Sequence, residues 1–100
     1  MKHPLCALED VPEQGSKVLP FFGREVHVYR DHGAPRAVIN MCLHLGGPLD
    51  FKDGKFVCPW HGAEFATSGG CLKGPAPAQS RLMVLPTRIE EGNLVYVWGE

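Results

Sequence analysis

Polar and apolar side chains alternate through Glu25-Val26-His27-Val28-Tyr29-Arg30, the period of two that sends successive residues to opposite faces of a strand. Asp31-His32-Gly33-Ala34-Pro35 then supplies a turn and Ala37-Val38-Ile39 a second apolar run, so the two segments predict a hairpin. Leu82-Met83-Val84-Leu85 and Thr87-Arg88-Ile89 run into Glu91-Gly92-Asn93, after which Leu94-Val95-Tyr96-Val97-Trp98 reads as an apolar strand. Helical periodicity is almost absent: Leu8 to Val11 is stopped by Pro12 and amounts to one turn at most. This turn-strand-turn rhythm predicts an all-β fold, a small antiparallel β-sandwich or barrel. Between residues 41 and 78 the pattern fails, and the stretch is dense in Gly and Pro. A long irregular segment inside a compact domain usually serves function.

Composition narrows the choices. With 100 residues and no repeat, linker or low-complexity tract, the chain reads as one domain over residues 1–100. Ten Lys+Arg against eleven Asp+Glu give a net charge of -1, without the basic footprint of a nucleic-acid binder. No apolar run approaches the roughly 18 residues of a membrane span. Met1-Lys2-His3-Pro4 is followed by no apolar signal-like region, so a reducing, cytoplasmic setting is expected. In that setting four cysteines and five histidines point to metal rather than to disulfides.

The irregular segment holds Cys42-Leu43-His44 and Cys58-Pro59-Trp60-His61, separated by the 13 residues Leu45 to Val57. Each half offers one thiolate and one imidazole from a Gly/Pro-rich loop. A single tetrahedral zinc accepts such a set. So does a two-iron, two-sulfur cluster with both cysteines on one iron and both histidines on the other. Zinc modules tend to pair like with like, whereas each loop here is mixed, and two mixed loops side by side sort thiolates to one metal and imidazoles to its neighbour. Spacing therefore favours the cluster over zinc. The bland alternative is a set of core or solvated loop residues without a ligand. Against it, none of the four lies on a periodic apolar face. His3, His27 and His32 are read as surface or turn residues, and Cys6 and Cys71 as unpaired thiols.

Cys42-Leu43-His44-Leu45-Gly46-Gly47-Pro48-Leu49 and Cys58-Pro59-Trp60-His61-Gly62 resemble the two cluster-binding boxes of Rieske iron-sulfur proteins, most closely those of soluble Rieske-type ferredoxins. Phe65, Thr67-Ser68-Gly69-Gly70 and Gly74-Pro75-Ala76-Pro77 are similar to the family's turn and proline-rich loop beside the cluster, and segments near both termini fit as well. The resemblance implies a Rieske-type β fold with an inserted cluster-binding subdomain within about residues 41–78. It also implies one [2Fe-2S] cluster held by Cys42, Cys58, His44 and His61. The interval between the boxes is shorter than the family pattern. Asp53-Gly54-Lys55 reads as a tight turn there, so a trimmed hairpin is expected between the boxes.

High-potential relatives carry an extra cysteine in each box, joined as a disulfide, and a serine and a tyrosine hydroxyl against the cluster sulfurs. The matching positions here are Gly47, Trp60, Ala63 and Phe65, none with the relevant thiol or hydroxyl. The resemblance thus implies the low end of the Rieske range, which runs from roughly -150 to +300 mV. Exposed imidazoles ringed by Leu45, Pro48, Trp60 and Pro75 would form a docking collar. With no nucleophile, general base or open metal position in view, the chain reads as an electron carrier rather than an enzyme. Its expected partners are a flavin-dependent reductase and a terminal oxygenase, with the small Rieske subunit of a nitrite-reductase-like enzyme as the alternative. The N-terminal domain of a ring-hydroxylating oxygenase is disfavoured, because no mononuclear-iron domain follows residue 100.

Overall fold

The computed structural model describes residues 1–41, 49–58, 63–68, 70–73 and 82–98. They form ten strands in three antiparallel sheets: β1 (Lys2–Ala7), β2 (Ser16–Phe21), β3 (Arg24–Asp31), β4 (Ala34–Ile39), β5 (Asp50–Lys52), β6 (Lys55–Cys58), β7 (Ala63–Phe65), β8 (Cys71–Lys73), β9 (Thr87–Glu90) and β10 (Asn93–Val97). Sheet orders are β1-β10-β9, β2-β3-β4 and β5-β6-β7-β8.

The predicted hairpin is present as β3 and β4, with Val26 opposite Ile39 and Asp31 opposite Ala34. Its two-residue turn, His32-Gly33, has φ of 51° and 85°. Positive φ at both central positions matches the right-handed twist of the flanking strands, and glycine takes the second position without a Cβ clash. Leu8–Asp10 is a single 3-10 turn, as its sequence predicts. Leu82 to Leu85, expected as a strand, makes only one bridge, Val84 to Val38. Its backbone is nonetheless tied to β4, because Ile39 N–H donates to the Met83 carbonyl at 3.0 Å and Leu85 N–H to the Ala37 carbonyl at 2.9 Å.

Alternation along β3 and β4 divides the interior in two. Val26, Val28, Ala37 and Ile39 point to one side of the β2-β3-β4 sheet, where they pack with Val11, Phe21, Leu85 and Leu94. Tyr29 and Val38 point to the other, against Leu49, Phe56, Cys58, Ala63, Phe65 and Leu82. Strand β3 is therefore covered on both faces. This corrects the reading of His27 as a surface or turn residue: its side of the strand meets the β5–β8 sheet, and it is 3% exposed. His32 does lie in an exposed turn, while His3 is half-buried on β1 with its ring 4.7 Å from that of Phe22.

The segment expected to be irregular contains a four-stranded sheet. Its strands have three or four residues each, too few to register as alternation. The trimmed hairpin between the boxes is β5–β6, closed by Asp53-Gly54 with φ of 52° and 75°. Among the described residues no helix is long and apolar enough to cross a membrane.

Candidate metal centre

Of the four predicted ligands, Cys58 is among the described residues; Cys42, His44 and His61 lie outside them. So do Gly47 and the collar residues Leu45, Pro48, Trp60 and Pro75. Cys58 is the last residue of β6, has no solvent exposure and is in no disulfide. Its register partner is Ala63, the first residue of β7. The four residues between them, which include His61, thus start and finish on adjacent strand ends.

The other box is bracketed by residues that meet as well. Asn40 Oδ1 accepts the Leu49 backbone N–H at 2.8 Å, so the flanks of the segment carrying Cys42 and His44 are bonded to each other. Asn40 is anchored to the start of β3, its backbone N–H donating to the Glu25 carbonyl at 2.8 Å and its Nδ2 to Glu25 Oε1 at 3.2 Å. Leu49 and Cys58 share one hydrophobic cluster, which places the roots of both boxes on the same layer.

His27 lies between these roots. Its Nε2 is 2.9 Å from both Asn40 Oδ1 and the Leu49 carbonyl, and its Nδ1 is 2.7 Å from Ser16 Oγ. The ring meets Phe56 edge-on, with centroids 5.3 Å apart. Phe56 stands two residues before Cys58 on β6.

Next along the same face of β3, Tyr29 OH donates to the Thr67 carbonyl at 2.5 Å and Asp31 Oδ1 accepts from Thr67 Oγ1 at 2.6 Å. Thr67 lies in the turn that joins β7 to β8, where Ala66 N–H also donates to the Gly70 carbonyl. The hydrogen bond from Thr67 holds the Asp31 carboxyl below its ordinary value against the opposing effect of burial, with His32 and Arg36 adding to the lowering. Burial pushes the Tyr29 phenol up to about 12, and the neighbouring Asp31 charge acts in the same direction. On the opposite face of the β5–β8 sheet, Lys55 Nζ pairs with Glu64 Oε1 across β6 and β7.

The positions matching the family's sulfur-facing hydroxyls are Ala63 and Phe65 on β7, both buried and both without a polar atom on the side chain. Cys6 sits half-buried on β1 against the other core. Burial, aided by Asp10, raises its thiol and makes it a poor thiolate. The backbone of Cys71 is in β8. A cleft of about 530 Å³ lies by the His32 and Asp53 turns, at the strand ends away from Asn40 and Cys58.

A buried thiol free of any disulfide, at the root of a short connection that also bears a histidine, suits a cluster ligated by two thiolates and two imidazoles. The buried histidine His27 is the residue that sequence reasoning missed. Alternation with Val26 and Val28 put it on the face opposite the apolar one, and no sequence signal shows that this face is covered.

Comparison with known proteins agrees with this construction. The Rieske [2Fe-2S] domain family matches residues 1–90. The Sphingomonas yanoikuyae B1 ferredoxin shares the fold with a TM-score of 0.80 at 23% identity, over 99% of this chain and 100% of that one. The plasma-membrane Rieske protein of Synechocystis PCC 6803 is 32% identical, with a TM-score of 0.79 over 96% and 99% of the two chains. The ferredoxin of carbazole 1,9a-dioxygenase from Nocardioides aromaticivorans IC177 is 18% identical, with a TM-score of 0.75 over 96% of each chain. The curated relatives, chlorophyllide a oxygenases and cytochrome b6-f iron-sulfur subunits, are longer, and this chain spans 14% to 48% of their length. The chain belongs to the Rieske [2Fe-2S] domain family and is an electron-transfer domain with one Rieske-type cluster.

Proposed function

We propose that the chain is a low-potential Rieske-type ferredoxin, a single domain over residues 1–100 that takes one electron from a flavin-dependent reductase and passes it to a terminal oxygenase. In this reading Cys42 and Cys58 hold one iron and His44 and His61 the other. The observation that carries the reading is the pair of mixed Cys/His loops: the flanks of the first, Asn40 and Leu49, meet at His27, and Leu49 shares a core cluster with Cys58 of the second. Likeness in fold to a carbazole dioxygenase ferredoxin supports the choice of an oxygenase as acceptor.

The cluster supplies a one-electron couple in which two neutral imidazoles replace two thiolates, so reduction is easier than at a four-cysteine site. The protein sets how much easier. Hydroxyl donors to the sulfurs stabilise the reduced form, and Ala63 and Phe65 offer none. Likeness to the Synechocystis plasma-membrane protein and to cytochrome b6-f complex iron-sulfur subunits supports a second reading, an electron relay attached to a membrane complex.

Potentiometric titration of the purified, cluster-loaded chain, followed by electron paramagnetic resonance, separates the two. The ferredoxin reading expects a signal only on reduction, two irons and two acid-labile sulfides per chain, and a midpoint in the lower part of the Rieske range. A midpoint well above zero overturns it in favour of the membrane relay, and a colourless zinc protein overturns the cluster altogether.

A further inference from the structure

We propose that His27 is a positioning residue for the first cluster-binding box, its imidazole fixing the separation of the two chain ends from which Cys42 and His44 are carried. The proposal rests on the reading of those two residues as ligands. Its geometry stands on described residues alone.

The proton on His27 can be placed from its neighbours. Asn40 Oδ1 already accepts the Leu49 N–H, which orients that amide with its oxygen toward His27. The second neighbour of Nε2 is a backbone carbonyl, which only accepts. Nε2 therefore carries the hydrogen and donates to both, and in the neutral ring Nδ1 accepts from the Ser16 hydroxyl. One N–H thus bonds residue 40 and residue 49 at once, 2.9 Å to each.

An apolar side chain at position 27 would fill the layer beside Phe56 equally well, and it would avoid the cost of burying a polar ring. What an apolar side chain lacks is the shared donor. The neighbours on every side fit this role: Ser16 from β2 orients the ring, Phe56 from β6 braces it edge-on, and Glu25 holds Asn40 from behind. The ring is 3% exposed, so water does not compete for the same acceptors.

The test compares His27→Phe, which keeps a planar ring, with His27→Gln, which restores an N–H donor, in the full cluster-loaded chain. His27→Phe is expected to change the g-values of the reduced-state paramagnetic resonance signal and to speed hydrogen exchange at the Leu49 amide by about three- to tenfold, the factor for losing one buried hydrogen bond. His27→Gln should bring both readouts back toward wild type. Ser16→Ala leaves the Asn40–Leu49 bond in place and removes the hydroxyl that orients the His27 ring; if His27→Phe does not fold, changed g-values and faster Leu49 exchange in this variant support the proposal and unchanged values overturn it. Unchanged g-values and unchanged Leu49 exchange in a folded variant overturn the proposal. If wild type itself lacks a Rieske signal, the ligand reading fails, and Leu49 exchange alone then decides whether His27 bridges the two ends.

Discussion

Tyr29→Phe is the most informative single change outside the cluster ligands, because it alters stability in opposite senses at neutral and alkaline pH. The phenol is completely buried and donates to the Thr67 carbonyl at 2.5 Å. Removing it costs about 1 kcal/mol near pH 7, the net value of a typical intramolecular hydrogen bond, or about 4–8 °C in Tm for a domain of about 100 residues. Burial and the Asp31 charge raise the Tyr29 pKa from 10.0 to about 12. A raised pKa means that the unfolded chain gives up its proton first. The stabilisation is therefore complete below the unfolded value and is lost as pH rises toward the folded one. Linkage puts the wild-type loss at about 1.4 kcal/mol near pH 11, because a proton held by the folded chain alone is worth about 1.4 kcal/mol for each pH step above the unfolded value. The variant has no phenol at this position and does not share that loss. Thermal unfolding of the two proteins, followed by circular dichroism from about pH 7 to pH 11, should thus show a wild-type advantage that shrinks to nothing or reverses slightly. An advantage that stays constant across the range would mean that Tyr29 ionisation is not coupled to folding, and the clamp would have to be explained by packing alone.

Two further outcomes can be checked on the same material. Asp31 has a carboxyl held below its ordinary value of 3.8, chiefly by Thr67, so its contribution is present above that value and is lost as pH falls through the lowered one. Asp31→Asn or Thr67→Val should flatten the acid limb of the stability profile, and an unchanged limb in acid unfolding scans would remove Asp31 from the account. Ala63→Ser combined with Phe65→Tyr places hydroxyls at the two β7 positions that match the sulfur-facing donors of high-potential relatives. At about 20–60 mV per added hydrogen bond, from roughly 0.5–1.5 kcal/mol of differential stabilisation, the midpoint should rise, and a potentiometric titration without change would show that these positions do not face the sulfurs.

The hairpins with good alternation and a Gly turn were legible in the sequence. β3–β4 joins an alternating run to an apolar one across His32-Gly33, and Glu91-Gly92 precedes the apolar run of β10 in β9–β10; both are present with paired registers. The β5–β6 hairpin was legible from its Asp53-Gly54 turn alone. β1 and β2 were not, because both are edge strands that tolerate Pro4 and Pro20 and bury little, so their sequences carry neither a clean period nor an uninterrupted apolar run. β7 and β8 were missed through shortness. The two boxes were visible as motifs, with Leu49 and Thr67 among the residues that carry the resemblance, whereas the bonds that root them were not: nothing in the sequence joins Asn40 to Leu49 or Tyr29 to Thr67 until the sheets are packed. His27 is the clearest failure. Alternation assigns it to a polar face correctly, but a polar face need not meet solvent, and in this fold that face is covered by a second sheet.

That covering explains why a central strand carries His27, Tyr29 and Asp31 at alternate positions. A sheet with two apolar faces would hold its neighbours by area alone, and apolar contact is indifferent to small slides. The β5–β8 sheet is small, with strands of three or four residues, and contact with it buries few large side chains beyond Phe56 and Phe65. Directional bonds supply what area cannot. His27 holds the two ends of the first box, and Tyr29 and Asp31 hold the turn that follows β7 and hence the strand leading out of the second. Each of these three buried groups has its partner, so the desolvation cost is offset rather than left standing. The opposite face of the same strand buries Val26 and Val28 in the other core, and at its end Arg30 donates to the Leu8 and Val11 carbonyls. One strand thus divides the labour between its faces: Val26 and Val28 contribute apolar packing toward the β1-β10-β9 layer, and the side with His27, Tyr29 and Asp31 sets the position of the layer that carries Cys58. Substitutions on the first side should therefore lower Tm with little effect on the paramagnetic signal, while those on the second should move the signal by more than their cost in stability accounts for.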